Sequence, residues 1–125
     1  MTARKKPNLE EFRLQCVVVD YLAKLPCVGF FHHSPNGSKL HGSKEERQRT
    51  GARLKRSGTA AGYPDLTIYA SGGRVGHLEL KSCTGRLSDS QIEVQQKLTG
   101  LGHRYAIVKH TDDVEAALRE WGWLA

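Results

Sequence analysis

The chain has 125 residues, enough for one domain with one core, and its 38% hydrophobic content fits a folded globule. No apolar run is long enough to cross a bilayer and no signal peptide is visible, so neither a membrane span nor secretion is expected. The net charge of +6 and a pI of about 9.4 point instead to a polyanionic partner.

Residues 1–7, with Arg4-Lys5-Lys6, read as a disordered basic tail, and 8–125 as a single domain. Asn8 is placed to cap a helix over about 9–25, with Glu11 completing a capping box. Pro26 stops that helix. Residues 28–33 (Val-Gly-Phe-Phe-His-His) read as a first strand, and Ser34-Pro35-Asn36-Gly37 as a turn. Ser43 and Glu46 frame a second capping box and open a short basic helix over 44–56. Gly58 and Gly62 bracket a small-residue loop that leads into Pro64.

Residues 65–70 and 75–81 both alternate with period two and read as strands. Ser88 with Gln91 caps a helix over about 89–99, which ends at Gly100 and Gly102. Residues 104–109 form a fourth strand, expected to return parallel to 75–81 by a right-handed crossover. Asp112 and Glu115 open a last helix to about 121. The order is αβ(α)ββαβα, with no internal repeat. It implies an α/β or α+β fold: a mixed sheet of about four strands flanked by helices.

The hairpin in the middle holds the chemistry. A three-residue loop, Ser71-Gly72-Gly73, pairs Ala70 with Arg74 and sets Asp65 opposite Glu79. Leu66, Ile68, Leu78 and Leu80 then share one face. Asp65, Thr67, Tyr69, His77, Glu79 and Lys81 share the other. Two bare carboxylates about 4 Å apart repel by roughly 1 kcal/mol in water and about 4 kcal/mol at a partly shielded site. Lys81 offers one compensating charge, and a divalent cation offers two. Carboxylate and water oxygens suit Mg²⁺ or Mn²⁺ rather than zinc. The bland alternative is a solvated sheet face with cross-strand ion pairs.

Positive charge is concentrated in segment 39–57, where Lys39, Lys44, Arg47, Arg49, Arg53, Lys55 and Arg56 face only Glu45 and Glu46. Such clustering is the electrostatic footprint of a polyanion partner, with a solvated helix face as the bland alternative. The three cysteines, Cys16, Cys27 and Cys83, are odd in number and widely spaced, and nothing has zinc-site spacing. They read as reduced thiols, with the cytoplasm as the expected compartment.

Pro64-Asp65 on the second strand, Glu79-Leu80-Lys81 on the third, and this order of elements resemble the restriction-endonuclease-like PD-(D/E)xK nuclease core. More closely, the chain resembles the VRR-NUC family, in its small standalone phage and bacterial form. The matching residues are Glu11 with Gln15, Pro35-Asn36-Gly37, Gly58 through Gly62-Tyr63-Pro64-Asp65-Leu66, Glu79-Leu80-Lys81, and Leu87-Ser88 with Gln91. They span about 9–110.

The resemblance implies divalent-metal-dependent DNA cleavage, and, for standalone members, homodimers that resolve four-way (Holliday) junctions. It implies that Asp65 and Glu79 hold the metal, with the carbonyl of Leu80 as a further ligand. Lys81 orients the attacking water and stabilises the charged phosphorane, since an ordinary lysine is protonated at neutral pH. Glu11 matches the family's first-helix acid, a role that competes with capping at Asn8; Glu10 is its alternate. Gln91 faces a similar choice between capping Ser88 and pointing into the site. Asn36 is either a phosphate contact or part of a turn. Lys39, Arg47, Arg49, Arg53, Lys55 and Arg56 are expected on the DNA backbone, giving recognition by shape rather than base sequence. Phe30, Phe31, Trp121 and Trp123 are candidate dimer-interface residues.

Overall fold

The computed structural model describes residues 9–35 and 41–125. Helix α1 spans Leu9–Ala23, strand β1 Phe30–His33, helix α2 Lys44–Arg56, strand β2 Leu66–Ala70 and strand β3 Arg74–Leu80. Helix α3 spans Asp89–Gly100, strand β4 Arg104–Val108 and helix α4 Thr111–Glu120. The sheet runs β1-β2-β3-β4, antiparallel between the first three strands and parallel between β3 and β4. This is the mixed, helix-flanked sheet that the alternation and capping signals predict.

The hairpin register follows from its glycines. Ser71–Gly73 forms one tight turn in which Gly72 and Gly73 hold φ of 77° and 74°, a region hostile to side chains. Ala70 therefore faces Arg74 and Leu66 faces Leu78, so the next pair outward is Asp65 and Glu79. On one face Leu66, Ile68, Leu78 and Leu80 join Val108 of β4. Val18 and Leu22 of α1, and Val114 and Leu118 of α4, close over them to complete the core.

Several expectations need correcting. The second face is not solvated at its centre: Thr67, His77 and Glu79 are 2%, 1% and 3% exposed, while Tyr69 at its turn end is open to solvent. Trp123 is no interface residue, because it is buried in the core and meets Trp121 edge to face at 5.1 Å. Both rings lie over Gly76, where a Cβ would come within 2.5 Å of Trp121. Phe31 packs against the same core, whereas Phe30 is exposed. Asp112 lies in the first turn of α4 as expected, and the capping contact comes from Asp113, its Oδ2 accepting from the main-chain N–H groups of Lys109 and His110 at 2.9 and 3.0 Å.

Element ends also move by a residue or two. Helix α1 stops at Ala23, ahead of Pro26, and β1 begins at Phe30. The basic tail, the cap at Asn8, and Asn36, Gly37 and Lys39 lie outside the described residues.

Candidate active site

Asp65 is fixed from three sides. Pro64 before it is buried. Its carbonyl accepts from Ser34 N–H at 2.9 Å and lies 3.0 Å from His33 Nδ1, so the end of β1 holds the backbone. Its carboxylate Oδ2 accepts from Leu80 N–H at 2.8 Å, which ties it to β3. The loop before it approaches α3 closely: a Cβ on Gly62, at φ 82°, would meet the Ser90 carbonyl at 2.5 Å. A glycine there lets the Asp65 segment sit against the start of α3.

Glu79 lies beside Asp65 with almost no access to water. Burial, then the Asp65 charge, push its carboxyl from the ordinary 4.5 up to about 8, against the opposing pull of Lys81. Lys81 Nζ stands 3.6 Å from Glu79 Oε1. Gln91 Nε2 donates to that same oxygen at 2.9 Å. Glu79 Oε2 is buried and has no hydrogen-bond partner.

The two roles weighed for Gln91 turn out to be compatible. Its Oε1 accepts from Ser88 N–H at 2.8 Å, closing the capping box of α3, while its Nε2 reaches Glu79. A primary amide has an acceptor at one end and donors at the other, so one side chain fills both positions. The helix cap thereby aims an amide into the site.

Asp65, Glu79, Leu80, Lys81 and Gln91 line one concave pocket of about 410 Å³, and Glu11 of α1 lines it too. Glu10 points elsewhere, accepting a long contact of 3.9 Å from the Cys83 thiol. The donor set at the pocket is oxygen only, two carboxylates with a main-chain carbonyl and Glu11 at hand. Among the described residues no group of three or more His, Cys, Asp or Glu side chains is arranged as a metal cage. A buried carboxylate oxygen without a partner, beside a second carboxylate, fits a hard divalent cation that completes its shell with water. It does not fit zinc.

Arg47, Arg49, Arg53, Lys55 and Arg56 all lie on α2, which buries none of its residues. Ser43 caps it, Oγ accepting from Glu46 N–H at 3.2 Å. None of these cations lines the pocket.

Sequence reasoning overlooked what stands behind the carboxylates. Tyr63 Oη lies 3.0 Å from Thr67 Oγ1, which lies 3.0 Å from His77 Nδ1. His77 Nε2 lies 2.8 Å from His103 Nδ1, with the two rings stacked at 5.1 Å. Burial, then His103, lower the His77 pKa to about 4, so the ring is neutral. Tyr105 of β4 also joins this face, and burial followed by the charges of Glu79 and Asp65 raises its phenol pKa. Alternation on β2 and β3 places Thr67 and His77 here. His103 and Tyr105 arrive only through the parallel pairing of β4, in which Tyr105 faces His77.

No family sequence model matches the chain, and a comparison with curated proteins finds no match. Solved structures similar to it include the following two. One, described as a VRR_NUC domain protein, superposes with a TM-score of 0.68 at 26% identity, covering 93% of this chain and 90% of that one. The other, described as a VRR_NUC domain, has a TM-score of 0.58 at 19% identity, covering 89% and 95%, and speaks to the fold alone. With the sheet order and near full-length superposition in agreement, the chain has the fold of VRR-NUC domain proteins and is similar to them over most of its length.

Proposed function

We propose that this protein is a divalent-metal-dependent DNA endonuclease of PD-(D/E)xK type that cleaves four-way junctions as a homodimer. One observation carries the reading: Asp65 and Glu79 are forced together in a shielded pocket with Lys81 and Gln91 on the same carboxylate. Proteins do not hold two acids so at rest without something to offset the charge.

Asp65, Glu79 and the Leu80 carbonyl are assigned to hold Mg²⁺ or Mn²⁺, with Glu11 reaching it through water. When bound, such an ion offsets the carboxylates, polarises the scissile phosphate and makes water a better nucleophile. The rest falls to the chain's own side chains. Lys81, beside the pocket, stabilises the negative charge that builds on the phosphate and orients the attacking water. Gln91 holds the Glu79 carboxylate in place. Glu79 keeps little water of its own, so its charge acts through a low dielectric.

The exposed cations of α2, Arg47, Arg49, Arg53, Lys55 and Arg56, are assigned to the phosphate backbone, with Lys39 and Asn36 nearby in sequence. Backbone contacts position DNA without reading it. One pocket per chain cuts one strand, and a two-fold pair of chains supplies the second cut.

Cleavage of a labelled immobile junction with Mg²⁺ and with Mn²⁺ tests this, alongside linear duplex, flap and single strand, with Asp65→Ala as control. Paired symmetric cuts on the junction alone support the full reading. Equal cutting of flaps and duplexes keeps the chemistry and overturns the substrate. Tight DNA binding without cutting by the wild-type protein overturns the nuclease.

A further inference from the structure

Two buried polar side-chain atoms lack a hydrogen-bond partner among the described residues, and they belong to the same sheet face: Glu79 Oε2 and the Tyr105 hydroxyl. One is an acceptor and the other, a phenol that keeps its proton, is a donor. A buried polar atom left unpaired is destabilising. Two complementary ones on adjoining strands ask for a common cause.

The register brings them near each other. Tyr105 faces His77 across the parallel β3–β4 pair, and Glu79 is the next residue on that face of β3. Diagonal neighbours on adjacent strands stand about 7–8 Å apart, within reach of an aromatic side chain. Gln91 and Lys81 both serve Oε1 of Glu79, and neither serves Oε2; Asp65 is a further partner only while Glu79 keeps its proton, which a bound cation displaces. Tyr105 does not line the pocket, and the Glu79 charge is one of the influences on its phenol.

We propose that Tyr105 is a positioning residue of the cation site, whose hydroxyl donates to Glu79 Oε2 when that carboxylate turns to serve as a ligand. A carboxylate oxygen has two lone-pair positions, so Oε2 accepts from the phenol and still faces the pocket. Glu79 is then clamped from both ends: Gln91 and Lys81 at Oε1, Tyr105 at Oε2. Partners behind a ligating side chain fix its orientation, and losing one weakens metal binding roughly 10- to 100-fold. This inference rests on reading Asp65 and Glu79 as the cation site.

The test is Mn²⁺ titration by calorimetry, near pH 8, of wild-type protein and Tyr105→Phe, with the metal-free melting temperature of each. The phenylalanine keeps the ring and removes only an unpaired oxygen, so the variant should melt at the same temperature or higher. Its Mn²⁺ dissociation constant should rise about tenfold or more. Equal affinity within twofold, with wild-type binding intact, overturns the inference and leaves the cation site standing. No Mn²⁺ binding by the wild-type protein overturns both. As an independent readout, Mg²⁺ should perturb the near-ultraviolet tyrosine absorbance of the wild-type protein, and the perturbation should be missing from Tyr105→Phe. A spectrum indifferent to Mg²⁺ in the wild-type protein also contradicts the role.

Discussion

The two faces of the β2–β3 hairpin both bury their central residues and are built from opposite chemistry. One carries Leu66, Ile68, Leu78 and Leu80 and belongs to the apolar core. The other carries Thr67, His77 and Glu79, each no more than 3% exposed. Burial of the first face is favourable by itself, at about 25 cal/mol per Å² of apolar surface. Burial of the second costs energy at every group that lacks a partner. The difference teaches that exposure does not distinguish a functional face from a structural one. Unsatisfied chemistry does: the raised carboxyl of Glu79 and its unpaired Oε2 have no counterpart on the apolar side.

The largest effect that would sharpen this contrast is on activity. Asp65→Ala removes a proposed ligand and the tether to Leu80 N–H, and should lower cleavage by about 10³-fold or more. Retention of labelled junction in a gel shift should be unchanged, because the cations of α2 remain. Loss of binding together with cleavage would show that the two functions are not separable in the way the geometry suggests.

The next effect is on stability, and its sign should differ between the faces. Leu78→Ala leaves a cavity in the core and should cost about 2–5 kcal/mol. Glu79→Gln, on the following residue and the opposite face, should raise metal-free stability at a pH above 8 by about 1–3 kcal/mol, because a buried charge disappears. Denaturant melts of the two variants check both. Destabilisation by Glu79→Gln would mean that Lys81 and Gln91 fully compensate the charge.

The smallest effect concerns α2. Reversing Arg53, Lys55 and Arg56 to Glu should weaken junction binding and make its dependence on salt shallower, by about 0.9 in logarithmic slope for each phosphate that the helix no longer neutralises. Stability should stay within about 0.5 kcal/mol, since the helix buries nothing. Binding and slope both unchanged would show that α2 is a solvated helix with no role in DNA contact.

Much of the hairpin was legible in the sequence because its signals are local. Two glycines after Ser71 dictate the turn, the turn dictates the register, and the register puts Asp65 beside Glu79. Capping residues likewise mark α2 and α3, with ends correct to about a residue. What the sequence withheld was long-range. That the polar face is covered rather than wet depends on Tyr63, His103 and Tyr105 arriving from separate segments. The neighbourhood of Tyr105 and Glu79 depends on the parallel pairing of β4, which no local pattern encodes in register. Trp121 and Trp123 read as candidate interface residues because their partner is Gly76, a position whose role is the absence of a side chain. Gln91 fills both of its candidate roles because its amide uses both ends.

The most direct test of the claim that the polar face is a cation seat is a thermal melt with and without Mg²⁺ across pH, on wild-type protein and Glu79→Gln. The Glu79 carboxyl is raised in the folded state, so its contribution to metal-free stability is full below the ordinary 4.5 and is lost as pH rises through about 8. A cation takes the proton's place most profitably where the proton has left. The account predicts that saturating Mg²⁺ raises the wild-type melting temperature by on the order of 10 °C above pH 8, less at pH 6, and little in Glu79→Gln. A melting temperature indifferent to Mg²⁺ and Mn²⁺ at every pH, or one raised equally in both proteins, would contradict it.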